Sequence, residues 1–369
     1  MITFLARLVG WVVPPQKQHW AEGMQSEIAN IGNKRNAVWF ALGCLIAAIQ
    51  FRFAVEDESA TGIEEYRVGR NAAIATKLFA GLGASAIGIA YLSAAHAPQI
   101  MLLVNGAATV IGLMLLAALH WTTRFTARLA TILAFSAAVI LMATALLGNP
   151  VGGASRWIKA GPMFVQTSLL FLPLAVVLFA RVSNAWTTLS ILLIAIAVAV
   201  QPDRAMSGAL FSALAALTLV KRTPAIFCAL AASGASFMAT LLQADRLLAV
   251  PYVDHILWSS FDIHPLMGAA LWLGCALLIL PSFLLRSSPL LPEGIAFAAC
   301  WAAIIGAAAM GAYPTPLVGY GASAIIGYFI CLTALRNRAY ARDLGEVPQI
   351  QDLHAIKHDP FELRLAPLI

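Results

Sequence analysis

Apolar runs of roughly 17 to 25 residues recur along most of this chain, and each is long enough for a helix to cross the ~30 Å hydrocarbon core of a bilayer. Of the 369 residues, 61% are hydrophobic and only 11% are charged. Soluble domains average about 25% charged residues. Because the charged side chains are too few to cover a water-facing surface, the sequence predicts an all-α polytopic membrane protein.

The arrangement of Lys and Arg residues predicts the topology of a ten-span membrane domain over residues 71–338. Arg67 and Arg70 precede the first span, and the positive-inside rule assigns them to the cytoplasm. Most later basic residues then fall on the same side, and the even number of spans leaves both ends of the domain in the cytoplasm. The predicted spans are approximately residues 72–95, 99–119, 127–147, 164–181, 186–200, 205–220, 224–243, 263–285, 293–311 and 317–335.

The segments that flank the membrane domain differ from it in composition. Residues 1–70 combine an amphipathic start, an apolar stretch over 37–51 and an acidic linker, so we predict a helical prefix that is cytoplasmic or interfacial. A helix over 37–51 would reach only ~22 Å, which is short for a span, although an eleventh span there is the alternative. Residues 339–369 are predicted to form a cytoplasmic polar tail.

The net charge of +6 arises mainly from the predicted cytoplasmic loops. No basic stripe with interleaved aromatic residues occurs, so we predict contacts with membrane lipids and no nucleic-acid partner. The five cysteines form no CxxC pair, and His255 and His264 fit no standard metal motif. The sequence therefore predicts no metal-binding residues.

Chemically unusual residues are concentrated in four segments that the topology places at the outer face of the membrane. Ionisable residues near membrane depth are costly, and they commonly mark function or pairing. The first segment contains Arg156, Trp157 and Lys159 within the stretch GGASRWIKAG. The four segments are residues 148–173, 201–208, 243–268 and 313–323.

Cations and carboxylates in these segments suit a substrate that carries phosphate or pyrophosphate. Arg forms forked hydrogen bonds to such groups and Lys acts as a point charge. A nearby carboxylate can accept the proton of an attacking hydroxyl. Single residues also have structural interpretations: an outer Arg can snorkel to lipid headgroups, Trp157 can anchor at the interface, and Asp203 can form an ion pair with Arg204.

Four motifs in these segments resemble, in chain order, motifs of the SEDS family, which includes RodA and FtsW. The family pattern N-G-A-x-R-W-I, seven residues and Q-P-S-E is similar to Arg156-Trp157-Ile158, seven residues and Gln166-Thr167-Ser168-Leu169. The resemblance covers approximately residues 70–338. The family motifs Q-P-D-L-G-T and P-F-I-S-Y-G-G-S-S resemble Gln201–Met206 and Pro316–Ala324, and the catalytic segment aligns its Asp with Asp254 and its first Glu with Asp262.

The resemblance implies a ten-helix bundle that polymerises peptidoglycan at the outer face of the bacterial cytoplasmic (inner) membrane, in cell shape or cell division. Lipid II, or another polyprenyl-pyrophosphate-linked glycan, would donate its sugar chain to a hydroxyl, and a class B penicillin-binding protein is the implied partner. Asp254 would be the catalytic base, sharing one outward cavity with Arg156 and Lys159. No cofactor is assigned with certainty, and a divalent cation stays open. The candidate substrate-binding residues are Arg156, Trp157, Lys159, Gln166, Ser168, Asp203, Arg204, Asp262, Tyr320 and Ser323.

Three departures from the family pattern keep other functions open. The Q-P-S-E box has lost its Pro and Glu in Gln166–Leu169, the outer loop before Asp254 is only about a dozen residues long, and the Pro-Glu-x-His-Thr lead-in is missing. One alternative is a catalytically inactive SEDS relative that acts as an envelope scaffold or regulator. A transporter of a lipid-linked substrate is less favoured, because carriers place their charged sites near the middle of the membrane.

Overall fold

The structure, a computed structural model, describes residues 13, 18–33, 36–38, 40–41, 44, 62–122, 126–161, 163–243, 249–285 and 290–335. The chain divides into two compact units, Met1–Ala75 and Thr76–Ile369. The predicted tail over 339–369 and most of the apolar stretch 37–51 lie outside the described residues.

The first unit contains a short amphipathic helix, α1 (Gln18–Asn30). Ala21 and Ile28 are buried on α1, and their spacing of seven residues places them on the same face. They pack in one hydrophobic cluster with Val13, Ala41 and Cys44. The described part of the prefix is therefore helical with a small apolar core.

Each of the ten predicted spans contains a helix, so the prediction of an all-α polytopic membrane protein is confirmed. By length and composition, six of the described helices can cross a membrane, and three more are shorter and apolar. The helix of the first span begins at Gly62, inside the predicted linker. The helices are α2 (Gly62–Ala94), α3 (Gln99–Thr122), α4 (Ala127–Leu147), α5 (Thr167–Arg181), α6 (Ala185–Val200), α7 (Arg204–Thr218), α8 (Pro224–Leu241), α9 (Ile256–Ile263), α10 (Pro265–Phe283), α11 (Leu291–Met310) and α12 (Ala322–Ala334).

Local capping chemistry explains where several helices begin. The side chain of Thr126 caps α4 by accepting a hydrogen bond from a backbone N–H of the first turn. Asn184 and Thr187 form a reciprocal capping box at the start of α6. Thr223 caps α8, and Pro224 follows at the first helical position, where its missing N–H has no cost.

The short helix α5 lies at the centre of the bundle. Twelve of its fifteen residues are buried, and it packs against α4, α6, α7, α11 and α12. A helix surrounded by other helices is apolar on all sides, which the sequence of α5 shows. The contact with α12 is close because Gly327 has no side chain: a Cβ there would lie 2.3 Å from the carbonyl oxygen of Leu169.

A small antiparallel sheet precedes α5, and the sequence analysis did not predict it. Its strands are β1 (Asn149–Val151), β2 (Ala154–Ala160) and β3 (Met163–Gln166), in the spatial order β1-β2-β3. Gly152 and Gly153 connect β1 to β2 with φ of 58° and 88°, the left-handed conformation that a tight hairpin requires. Consequently α5 begins three residues after the predicted start of its span.

Candidate functional site

Arg156 joins the sheet to the turn between α6 and α7. We call the end of the bundle that carries this sheet the outer end, following the predicted topology. The Arg156 side chain is 4% exposed. Its Nε donates to the carbonyl oxygen of Gln201 at 3.4 Å, and its Nη2 donates to that of Pro202. The guanidinium also lies 5.9 Å from the ring centroid of Tyr313. Carbonyl oxygens and an aromatic face thus compensate this buried cation.

Lys159 lies on the opposite face of β2. Side chains alternate along a strand, so residues three apart point to opposite faces, and the β2–β3 register is regular from Trp157 to Ala160. Lys159 is exposed, and Trp157 lies on its face of the strand and is half-buried. Arg156 and Lys159 therefore do not form a clamp on one face of the strand. The contact of Lys159 with a substrate stays a prediction.

Four of the predicted substrate-binding residues form one buried polar network. The Oδ2 atom of Asp203 accepts hydrogen bonds from Gln166 Nε2 at 3.2 Å and from Ser168 Oγ at 3.0 Å. The backbone N–H of Gln166 donates to Ser323 Oγ at 3.0 Å. Asp203 Oδ1 accepts from the backbone N–H of Met206 at 3.3 Å, so Asp203 also caps α7. The network connects β3, α5, α7 and α12 at the outer end.

Arg204 points away from this network. Its Nη2 donates to the carbonyl oxygen of Gln243 at 2.9 Å, at the end of α8. No ion pair joins Asp203 to Arg204 among the described residues, so the structural interpretation that paired these two residues is wrong. The reason is that Asp203 turns inward to cap its own helix.

Asp254 stabilises a tight turn before α9. Its Oδ2 accepts a hydrogen bond from the backbone N–H of Val250 at 2.8 Å, and its own N–H donates to the carbonyl oxygen of Val250 at 3.0 Å. The side chain is half-buried. These two bonds hold the carboxylate in a defined orientation at the outer end.

The Asp254 turn is bonded to the Pro/Gly-rich loop over residues 313–321. The N–H of Thr315 donates to the carbonyl oxygen of Val253 at 3.1 Å, and the N–H of Tyr320 donates to that of Tyr252 at 2.8 Å. Tyr320 thus contributes its backbone to this contact. Since Arg156 lies over Tyr313 of the same loop, the four segments predicted at the outer face are connected through this loop and the network of Asp203.

Backbone strain is concentrated beside Asp254. Tyr252, His255 and Leu317 have φ of 65°, 60° and 61°, in the left-handed region. Such residues cost about 1–3 kcal/mol each and persist only where the surrounding structure requires them, commonly at functional sites. Gly319 allows the close approach of the two segments, because a Cβ there would lie 3.1 Å from Cδ1 of Ile256 and 3.4 Å from the carbonyl oxygen of Val253.

Asn105 of α3 is a contact of this site that the sequence analysis missed. Its side chain is 1% exposed. Its Nδ2 donates to the carbonyl oxygen of Gly319 at 2.9 Å, and its Oδ1 accepts from the N–H of Gly321 at 3.1 Å. The signal was present in the sequence, since a lone amide inside an apolar span is costly unless it is bonded.

Asp262 belongs to the 243–268 segment but takes no part in the bonded contacts described above. It is exposed on α9, so the structure does not bring it to the networks of Asp203 or Asp254. His264 caps α10, with Nδ1 accepting from the N–H of Leu266 at 3.1 Å. Among the described residues, no group of three His, Cys, Asp or Glu side chains is placed to hold a metal. That a divalent cation acts as a cofactor stays a proposal.

Two cavities of the described bundle are lined by residues other than those of the Asp254 turn. One is a groove of about 670 Å³ between α6 and α8, and the other is a cavity of about 240 Å³ between α2 and α10. Neither is lined by Asp254, Arg156 or Lys159. The shared outward cavity that the family resemblance implies is therefore not one of these two.

Comparison with known proteins identifies the fold. No protein-family model matches the chain, and neither does any curated protein. Among solved structures, the chain is similar to the rod shape determining protein RodA of Thermus thermophilus, with 20% identity, a TM-score of 0.51, and coverage of 70% of this chain and 94% of that chain. The chain has a RodA-like fold. The predicted SEDS resemblance is thus confirmed at the level of the fold.

Two further solved structures are similar to the chain. One is an aspartate-to-alanine mutant of the same RodA, with 20% identity, a TM-score of 0.49, and coverage of 70% of this chain and 94% of that chain. The other is a chain from a structure of a peptidoglycan synthase complex, with 19% identity, a TM-score of 0.47, and coverage of 72% and 98%.

Proposed function

We propose that this protein is a divergent SEDS-type peptidoglycan polymerase. It transfers glycan from lipid II, or from another polyprenyl-pyrophosphate-linked glycan, to a sugar hydroxyl at the outer face of the bacterial cytoplasmic membrane. The RodA-like fold supports the class of protein. The observation that carries the proposal is the bonded contact of the Asp254 turn with the 313–321 loop, because it fixes a carboxylate at the outer end.

In the proposed reaction, Asp254 accepts the proton of the attacking hydroxyl. The hydroxyl oxygen forms a bond to the anomeric carbon of the donor, the bond from that carbon to pyrophosphate breaks, and polyprenyl pyrophosphate leaves. A general base must approach the proton it takes within about 2.6–3.2 Å between heavy atoms. The hydrogen bond from the Val250 N–H occupies Oδ2 of Asp254, so Oδ1 is the proposed proton acceptor.

The two cations of β2 have different roles in this proposal. Arg156 is a positioning residue, since its guanidinium is bonded to the carbonyls of Gln201 and Pro202 and lies over Tyr313. Lys159 is exposed and is the candidate to interact, as a point charge, with the negative charge of the leaving pyrophosphate. The proposed partner is a class B penicillin-binding protein, and both ends of the bundle domain are proposed to be cytoplasmic.

The test is polymerisation of lipid II by the purified full-length chain in detergent, with and without Mg²⁺. RodA of Thermus thermophilus is the positive control. We expect glycan strands longer than the lipid II disaccharide on a gel. The absence of polymer in every condition, including after addition of a class B penicillin-binding protein, would refute the polymerase proposal.

A non-catalytic envelope scaffold is the second candidate function. It is favoured by the bonding of Arg156, Gln166, Ser168 and Asp203, whose described contacts are made to one another and to the backbone rather than directed at a substrate. A scaffold would make no polymer and would still co-purify with a class B penicillin-binding protein from membranes. The lipid II assay therefore distinguishes the two functions, because a polymerase forms glycan polymer and a scaffold does not.

A further inference from the structure

The groove between α6 and α8 has an apolar floor of small side chains. Ala195 and Ala199 of α6 and Ala232, Ala235 and Ala239 of α8 line it, and its volume is about 670 Å³. Larger apolar side chains on the same two helices are exposed, with 53% for Ile196, 51% for Val200 and 58% for Met238. Because both helices belong to the membrane bundle, the groove opens towards the hydrocarbon region.

The polar groups near the floor already have partners. Ser236 Oγ donates to the carbonyl oxygen of Ala195 at 2.7 Å and lies 2.9 Å from Ser207 Oγ. Hydrogen-bonded hydroxyls of this kind do not demand further polar partners. The middle of the groove is therefore suited to a hydrocarbon chain.

The outer end of the groove carries a cation. Gln243 lines the groove, and its Nε2 donates to the carbonyl oxygen of Ala199 at 3.4 Å. The backbone carbonyl of Gln243 accepts the hydrogen bond from Arg204 Nη2. Arg204 is half-buried, and its Nε is buried without a hydrogen-bond partner among the described residues. A guanidinium has five N–H donors and pairs readily with phosphate oxygens.

We propose that an anionic phospholipid of the outer leaflet occupies this groove, with one acyl chain against the alanine floor and its phosphate at Arg204. Charge complementarity favours a phosphodiester with one negative charge. A pyrophosphate is more densely charged, whereas the described rim offers one guanidinium, that of Arg204. This site is independent of Asp254, so it holds whether or not the chain polymerises glycan.

The test measures lipid binding to the purified full-length chain by native mass spectrometry, with thermal unfolding in detergent alongside. The probes are phosphatidylglycerol, phosphatidylcholine of the same acyl chains, and undecaprenyl pyrophosphate. We expect phosphatidylglycerol to be retained roughly tenfold over phosphatidylcholine, because the choline cation of phosphatidylcholine offsets the charge of its phosphate beside Arg204. Arg204→Gln removes this preference, and Arg222→Gln, an exposed cation at the other end of the bundle, keeps it.

A second variant tests the groove itself. Ala235→Leu fills the floor without changing charge, so it lowers retention of both phospholipids while the unfolding temperature stays near that of wild type. Equal retention of the two phospholipids by wild type would overturn the proposal. So would a preference that survives in Arg204→Gln, wild-type retention of both phospholipids by Ala235→Leu, or stronger retention of undecaprenyl pyrophosphate than of phosphatidylglycerol.

Discussion

The two ends of the bundle differ in how completely their buried charged and polar groups are paired. At the inner end, opposite the sheet, Arg181 Nε and Glu293 Oε1 are 3.1 Å apart, with side chains 4% and 6% exposed. Arg181 Nη2 also donates to the carbonyl oxygen of Ala334, and Lys221 Nζ donates to that of Ala180. These carbonyls end α12 and α5, where the negative end of the helix dipole favours a cation. The cations described here at the inner end are thus paired with a carboxylate or with backbone carbonyls.

The outer end keeps unmatched polar atoms and strained residues. Gln201 Oε1, Ser260 Oγ and Thr315 Oγ1 are buried without a hydrogen-bond partner among the described residues. The left-handed residues Tyr252 and His255 are also at this end. Buried unsatisfied groups and strained backbone both reduce stability, and proteins retain them mainly where function requires them. The comparison indicates that the inner end serves stability and the outer end serves function.

The largest loss of stability is expected at the inner end. Glu293→Leu leaves the guanidinium of Arg181 buried without its carboxylate, which costs about 3–5 kcal/mol. Thermal unfolding in detergent should show a clear drop in the midpoint. The double variant Arg181→Met with Glu293→Leu should recover most of it, because both charges are gone. If Glu293→Leu alone unfolds at the wild-type temperature, the inferred difference between the two ends of the bundle is contradicted.

An intermediate effect is expected at Arg156. Arg156→Met leaves the carbonyls of Gln201 and Pro202 without their donor, which costs about 1.5–3 kcal/mol, and it should also lower polymerisation. Lys159→Met is the matched control, because Lys159 is exposed on the same strand. Its unfolding midpoint should equal that of wild type, while the KM for lipid II rises. Equal midpoints for the two variants would contradict the distinction between these cations.

The smallest stability effect is expected at Asn105. Asn105→Leu removes the bonds to Gly319 and Gly321, each contributing about 0.5–1.5 kcal/mol, and it frees the 313–321 loop. Polymerisation should fall more than the unfolding midpoint does. Thr109→Val is the control, since the described bond of the Thr109 hydroxyl stays within its own helix, at the Asn105 carbonyl. If Asn105→Leu and Thr109→Val lower polymerisation to the same extent, the contact of Asn105 with the loop does not contribute to function.

The helices could be predicted from the sequence because a bilayer imposes both length and apolarity on a span. The exact starts of α5 and α12 could not. They depend on β3 and on the 313–321 loop, and the hydrogen bond from the Gln166 N–H to Ser323 Oγ joins β3 to the first turn of α12 across 157 positions. Such long-range bonds leave no local pattern in a single sequence.

The candidate site could be predicted in outline and not in its geometry. The segments of Arg156, Asp203 and Asp254 do meet through bonded contacts, as their shared outer position indicated. The different faces of Arg156 and Lys159 follow from β2, and the Gly-rich, charged sequence of this segment does not predict a strand. The sequence shows that Arg156 and Lys159 are both present in the segment. The alternation of side chains along β2 determines that they do not lie on the same face.

Polymerisation of lipid II by Asp254→Asn tests the central claim most directly, with Asp262→Asn as the matched control from an exposed position of the next helix. Both variants are first shown to unfold at the wild-type temperature. We predict that Asp254→Asn lowers the rate by about 10²-fold or more, the usual contribution of a general base, and that Asp262→Asn keeps it. A folded Asp254→Asn protein that polymerises at the wild-type rate would contradict the account.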